Sequence, residues 1–92
     1  MSTLNNKIVL VTGASRGIGA AVAKKLASEG AKVIINYAGG QDLAEQTVQS
    51  IRDNGGEAIA LQADVSKAGE VATMFDAAIA HYGRIDVLVN NA

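Results

Sequence analysis

The 92-residue chain has no cysteine, no proline and no tryptophan, and it has one histidine. The missing thiols exclude disulfide scaffolds, thiolate metal sites and cysteine nucleophiles together. Charge of either sign is not in surplus. The net charge of −1 gives no reason to expect a nucleic acid or an anionic membrane as partner. Long hydrophobic runs are lacking too: Ile8-Val9-Leu10-Val11 is far too short to span a bilayer. The segment from Met1 to Asn6 has neither the basic start nor the apolar stretch of a signal peptide, so a cytoplasmic protein is the expectation. Charged residues, at 18%, are too few for a disordered chain. Hydrophobic residues make up 49%, but 17 of them are alanine. That suffices for one modest core and one small domain.

The chain alternates two textures. Short runs rich in Val and Ile recur at 7–12, 32–37, 58–62 and 86–90. Their hydrophobicity is continuous, which suits strands covered on both faces. Between them lie three stretches with helical spacing. The first, about 17–29, carries Ile18, Ala21, Val22 and Leu26 as its apolar stripe. The second, about 41–53, carries Ala44, Val48 and Ile51 with Leu43 beside them. The third, about 67–82, carries Val71, Met74, Phe75, Ala78 and Tyr82. Gly30, Asn54-Gly55-Gly56 and Gly83 are the expected stops, and Ser66 is the expected N-cap of the third. The order β-α-β-α-β-α-β argues for an α/β fold, a parallel sheet with helices on both faces.

The segment Thr12-Gly13-Ala14-Ser15-Arg16-Gly17-Ile18-Gly19 follows the first strand and opens the first helix. Gly13 can adopt a positive φ in the turn. At Gly17 and Gly19 the absent side chain lets an anion, or the strand, come close. Unpaired N–H groups at a helix start favour a phosphate there. The spacing G-x-x-x-G-x-G differs from the general dinucleotide fingerprint and from a P-loop. A glycine-rich turn without a ligand is the alternative. The whole string, however, resembles the cofactor loop of the short-chain dehydrogenase/reductase family. Asp64-Val65 after the third strand resembles that family's adenine-contacting pair. Asn90-Asn91-Ala92 after the fourth resembles the start of its Asn-Asn-Ala-Gly motif. The resemblance runs over all but the first six residues. It implies a Rossmann-type sheet of strand order 3-2-1-4. Residues 1–92 would then be the N-terminal part of a dinucleotide-binding domain, with the fold still incomplete at Ala92.

By this resemblance, the backbone around Ser15, Arg16 and Ile18 faces the cofactor's pyrophosphate and adenosine ribose. Asp64 accepts from the adenine amino group and the Val65 amide meets the ring. Asn90 contacts the ribose, and Asn91 holds neighbouring strand ends. A loop carboxylate at 64 and a purely structural pair at 90 and 91 are the open alternatives. Cofactor choice is read at the end of the second strand. An NAD site places a carboxylate there, about 20 residues past the glycines, on the ribose 2′-hydroxyl. Here the strand ends Asn36-Tyr37-Ala38-Gly39-Gly40, with Tyr37 where the acid is expected and Ala38 next to it as a further cofactor-site candidate. Arg16 is placed, in relatives, to pair with a 2′-phosphate, which an arginine grips bidentately. NADP(H) is therefore expected over NAD(H).

Other candidates are weak. His81 reads as a helix-end residue favoured by the dipole. Tyr37 and Tyr82 are followed four residues on by Gln41 and Asp86, so neither is the family's Tyr-x-x-x-Lys. No metal-ligand spacing occurs. The family's catalytic Ser and Tyr-x-x-x-Lys are expected beyond Ala92. The expectation is the cofactor half of an NADPH-dependent carbonyl (3-oxoacyl-like) reductase, inactive alone and self-associating through the open edge of its fourth strand. The alternative is a free-standing nucleotide-binding or scaffold module.

Overall fold

The computed structural model describes residues 4–15 and 17–91. Seven elements follow in order: β1 (Ile8–Val11), α1 (Gly17–Ser28), β2 (Lys32–Tyr37), α2 (Gln41–Asp53), β3 (Glu57–Gln62), α3 (Ala68–Tyr82) and β4 (Val87–Val89). The strands form one parallel sheet of order β3-β2-β1-β4. β1 lies at its centre, with Leu10 opposite Ile34 on one side and Leu88 on the other.

Period-two alternation along β1 and β2 divides the core. Val9, Val11, Val33 and Ile35 face α1 and α2, where they meet Ala23, Ala27, Ala44, Val48 and Ile51. Ile8, Leu10 and Ile34 face α3, where they meet Ala63, Met74 and Ala78. Both faces of β1 and β2 are thus covered, and this is why their sequences read as unbroken apolar runs. Fully burying one such Val or Ile contributes about 1.5–3 kcal/mol. β4 departs from that expectation. Val87 and Leu88 are 41% and 52% exposed, so its apolar run is not matched by cover among the described residues.

α1 also departs from its expected stripe. Ile18 is 76% exposed. The buried residues are Gly19, Ala20, Ala23 and Ala27. The small side chains turn inward because they let the helix lie close to the sheet, while the larger ones border it. α2 buries Ala44, Val48 and Ile51 as expected, with Thr47 added. Of the face expected for α3, Met74 and Ala78 are buried while Val71, Phe75 and Tyr82 are half-buried. Glycines 30, 55 and 83 adopt positive φ just past the three helices, as their positions implied. Ser66 is not the cap of α3. Lys67 is, without a side-chain cap bond, because Ser66 is drawn back to Asp64.

Candidate functional site

In a parallel sheet all carboxyl ends lie together. Here they bring the turn after β1 (12–15), the loop after β2 (38–40), the loop after β3 (63–66) and residues 90–91 to one rim. The chain reverses direction across the sheet between β1 and β4, and such a switch point opens a crevice at that rim.

The glycine turn is held from several sides. Gly13 and Gly17 have φ of 62° and 65°, values that a side chain disfavours. A Cβ at Gly17 would meet nothing within 4 Å, so that position opens outward. A Cβ at Gly19 would clash with the Gly13 carbonyl oxygen and lie 2.6 Å from Asn91 Nδ2. Gly19 is therefore demanded by the protein's own packing. Thr12 ties the turn to β4. Its N–H donates to Val89 O at 3.0 Å. Its hydroxyl lies 3.2 Å from Asn90 Oδ1 and accepts the Asn91 N–H at 2.9 Å. Asn91 Nδ2 donates to Gly13 O at 3.3 Å. Both asparagines thus fasten the end of β4 to the glycine turn.

Two side chains that the sequence reading passed over fasten the turn from β2 and α2. Asn36 is 2% exposed. Its Oδ1 accepts the Gly13 N–H at 3.2 Å, and its backbone carbonyl accepts the Ala14 N–H at 3.0 Å. Its Nδ2 donates to Ala63 O at 3.1 Å and approaches Met74 Sδ at 3.2 Å. Thr47, also buried, shares its hydroxyl between Leu43 O at 3.1 Å and Ser15 O at 3.4 Å. The available signal for Asn36 was a lone amide in the otherwise apolar strand Val33-Ile34-Ile35-Asn36-Tyr37.

Beside the turn lies a cavity of about 420 Å³, lined by Gly13, Ser15, Tyr37, Ala38, Gly39 and Gly40. No carboxylate is among its lining residues in the described part of the chain. Tyr37 contributes from within the core, its side chain 8% exposed and packed on the α1/α2 side of the sheet. Ala38 stands exposed at the mouth. The first-turn N–H groups of α1 have no preceding carbonyl within the helix to bond. Arg16 and Ala92 lie outside the described residues. A second cleft, about 260 Å³ between Lys24, Ser28, Ser50 and Asn54, sits by the C-terminal ends of α1 and α2, away from this rim.

On the far side of β2, Asp64 is a loop carboxylate. Its Oδ1 accepts from the Ser66 hydroxyl at 2.6 Å and the Ser66 N–H at 2.9 Å. These two bonds, in that order, hold its pKa below the ordinary carboxylate value against an opposing desolvation, and the charge of Lys67 adds to the lowering. The Asp64 N–H donates to Glu70 Oε1 at 3.0 Å. Val65, 42% exposed, and Ile18 offer apolar surface to the rim. His81 and Tyr82 are at the end of α3, edge to face, far along the helix from this rim. No metal-type cluster and no helix long and apolar enough to cross a membrane occurs among the described residues.

This arrangement has known counterparts. The family model for short chain dehydrogenases matches residues 7–92. Elsinochrome reductase 1 of Elsinoe fawcettii is 53% identical over 91 residues, which is 99% of this chain and 34% of that protein. A 3-oxoacyl-[acyl-carrier-protein] reductase of Staphylococcus epidermidis is 52% identical over 87 residues, 95% of this chain and 36% of that one. The crystal structure of a metagenomic short-chain oxidoreductase in complex with NADP superposes with a TM-score of 0.93 at 42% identity, over 99% of this chain and 41% of that one. The chain therefore spans about a third of the length of the curated relatives it matches. Sequence motifs, strand order and glycine turn agree, and the chain belongs to the short-chain dehydrogenase family.

Proposed function

We propose that these residues form the cofactor half of a reductase that binds NADP(H) in preference to NAD(H). The carboxylate-free cavity between the glycine turn and the end of β2 carries this reading. A carboxylate there would bond a ribose 2′-hydroxyl and repel a 2′-phosphate; Tyr37, Ala38 and two glycines do neither. Arg16, by its place in the loop, supplies the cation for that phosphate. The backbone of Gly17, Ile18 and Gly19 at the start of α1 would take the pyrophosphate. Asp64, Val65 and Asn90 would line the adenosine, and Asn91 and Ala92 would border the crevice. The NADP-bound relative supports the same choice. When bound, the cofactor supplies hydride chemistry; what this chain supplies is grip and orientation. The names of the relatives, both reductases, support a carbonyl or alcohol substrate for the whole protein, 3-oxoacyl-like compounds among them.

Calorimetric titration of the chain with NADP⁺, NAD⁺ and 2′,5′-ADP tests the cofactor. Charge-assisted hydrogen bonds contribute about 1.5–3 kcal/mol each, so NADP⁺ should bind roughly ten- to a hundredfold more tightly than NAD⁺. The affinity for 2′,5′-ADP should match that for NADP⁺, since the nicotinamide half finds few contacts here. Arg16→Ala should collapse the ratio; an unchanged ratio refutes the assignment. Neither tyrosine of the 92 residues is followed by the lysine of an acid/base pair, so the chain by itself should oxidise no NADPH with any ketone offered. Copies should also pair along the free edge of β4, where Val87 and Leu88 are exposed.

A further inference from the structure

Asn36 is a buried polar side chain that follows the apolar run Val33-Ile34-Ile35 of β2. It is not itself among the residues lining the cavity, but it bonds Gly13, which is. β1 and β2 stay in register up to Val11 and Ile35. Asn36 is the next residue of β2, at the height where β1 leaves the sheet to form the glycine turn. β3 continues past it, with Gln62 opposite Tyr37. One amide therefore spans the gap left by β1. Its acceptor oxygen takes the Gly13 N–H, and its donor nitrogen reaches the Ala63 carbonyl next to Asp64. Met74 Sδ places the same nitrogen against α3.

Two results follow from this bridge. The Gly13 and Ala14 N–H groups both point inward, to Asn36 Oδ1 and to Asn36 O. That leaves the outward donors of the turn to the start of α1. The bridge also fixes the separation between the glycine turn and the Asp64-Val65 loop. An apolar residue of similar size would leave a buried N–H and a buried C=O without these partners. A smaller one would let the two loops move independently.

We propose that Asn36 is the positioning residue of the site, coupling its phosphate-binding half to its adenine-binding half. The proposal rests on the nucleotide-binding reading above. It is tested by titrating the wild-type chain, Asn36→Leu and Asn36→Ser with two probes. 2′,5′-ADP spans both halves; inorganic pyrophosphate occupies the start of α1 alone. Asn36→Leu should weaken 2′,5′-ADP by about tenfold or more while leaving pyrophosphate affinity unchanged. Asn36→Ser has room for a water between the same groups; it guards against misfolding of the leucine variant and should show a smaller loss of the same kind. Amide exchange by NMR should quicken at Gly13 in both variants, with the middle of α1 unaltered. A merely structural role would lower stability and leave the folded fraction's probe selectivity as it was. Folded variants that bind 2′,5′-ADP like wild type, or that lose both probes equally, overturn the coupling. Wild-type chain that binds neither probe removes the nucleotide reading and this one with it.

Discussion

Gly17 and Gly19 look equivalent in the sequence and are opposite in the fold. Gly17 is constrained by its backbone, in the left-handed region with open space around it. Gly19 is constrained by volume, pressed against the Gly13 carbonyl and Asn91. Gly17→Ala should cost about 1–2 kcal/mol, the penalty of a Cβ in the left-handed region. Gly19→Ala should cost about 1–3 kcal/mol as overpacking, and it should also displace the turn, so that urea midpoints and 2′,5′-ADP affinity fall together. Tyr82 makes a different residue-scale case. Its hydroxyl is buried with no well-aligned hydrogen-bond partner. Burial first, and then the charge of Glu57, pushes its pKa up to about 12. A value raised in the fold means stability that is intact below about pH 10, the unfolded tyrosine's range, and is lost as pH rises toward 12. Tyr82→Phe should remove that alkaline loss and be neutral, or more stable by up to about 1 kcal/mol, at pH 7. Denaturation series at pH 7 and above pH 10 would decide both points.

At the scale of elements, β4 is short and is pinned at its start by a side chain. The Ile8 N–H donates to Asp86 Oδ2 at 2.8 Å, and the Asp86 N–H donates to Ile8 O at the same distance. Arg84 Nε bonds both Asp86 carboxylate oxygens at 3.0 Å, and its Nη2 reaches Asn6 O. The Ile8 N–H chiefly, and Arg84 after it, hold the Asp86 carboxyl below its ordinary pKa. A depressed pKa gives stability present above the unfolded carboxylate's value and lost as pH falls. The urea midpoint should therefore drop between about pH 5 and pH 3, and less steeply in Asp86→Asn. The elements themselves were legible in the sequence to within a residue or two, because buried parallel strands leave unbroken Val/Ile runs. The inward face of α1 was not. In Gly-Ile-Gly-Ala-Ala-Val-Ala the larger residues dominate any apolar stripe, yet close approach to the sheet favours the smaller. Thr12, Asn36 and Thr47 stayed hidden for a related reason. Each bonds a group far away in the chain, so its partner is known only once the strand order is.

At the scale of the molecule, the sheet is unevenly clothed. The α1/α2 side buries a continuous layer from Val9 to Ala58, while the β4 end leaves Leu88 half exposed. Leu88→Lys should lower any sedimentation-detected self-association without loss of helical signal; unchanged association would place the contact elsewhere. The family and the strand order were legible from residues 12–19, 64–65 and 90–91, because those strings, each following a Val/Ile-rich strand, are printed directly in the sequence. The order in which that rim is assembled follows from the topology. β3, β2 and β1 pair between near neighbours in the chain, but the strand that closes the crevice on β1 bonds Ile8 and Thr12 to residues 77 to 79 positions away. Closing so long a loop is slow relative to local pairing. During synthesis a three-stranded sheet can therefore form well before β4 arrives. The glycine turn then stands without Thr12's bonds to Val89, Asn90 and Asn91 until those residues clear the ribosome. On the proposed reading, competence to hold a nucleotide would thus come only after residues 86–91 have emerged, later than the three-stranded sheet.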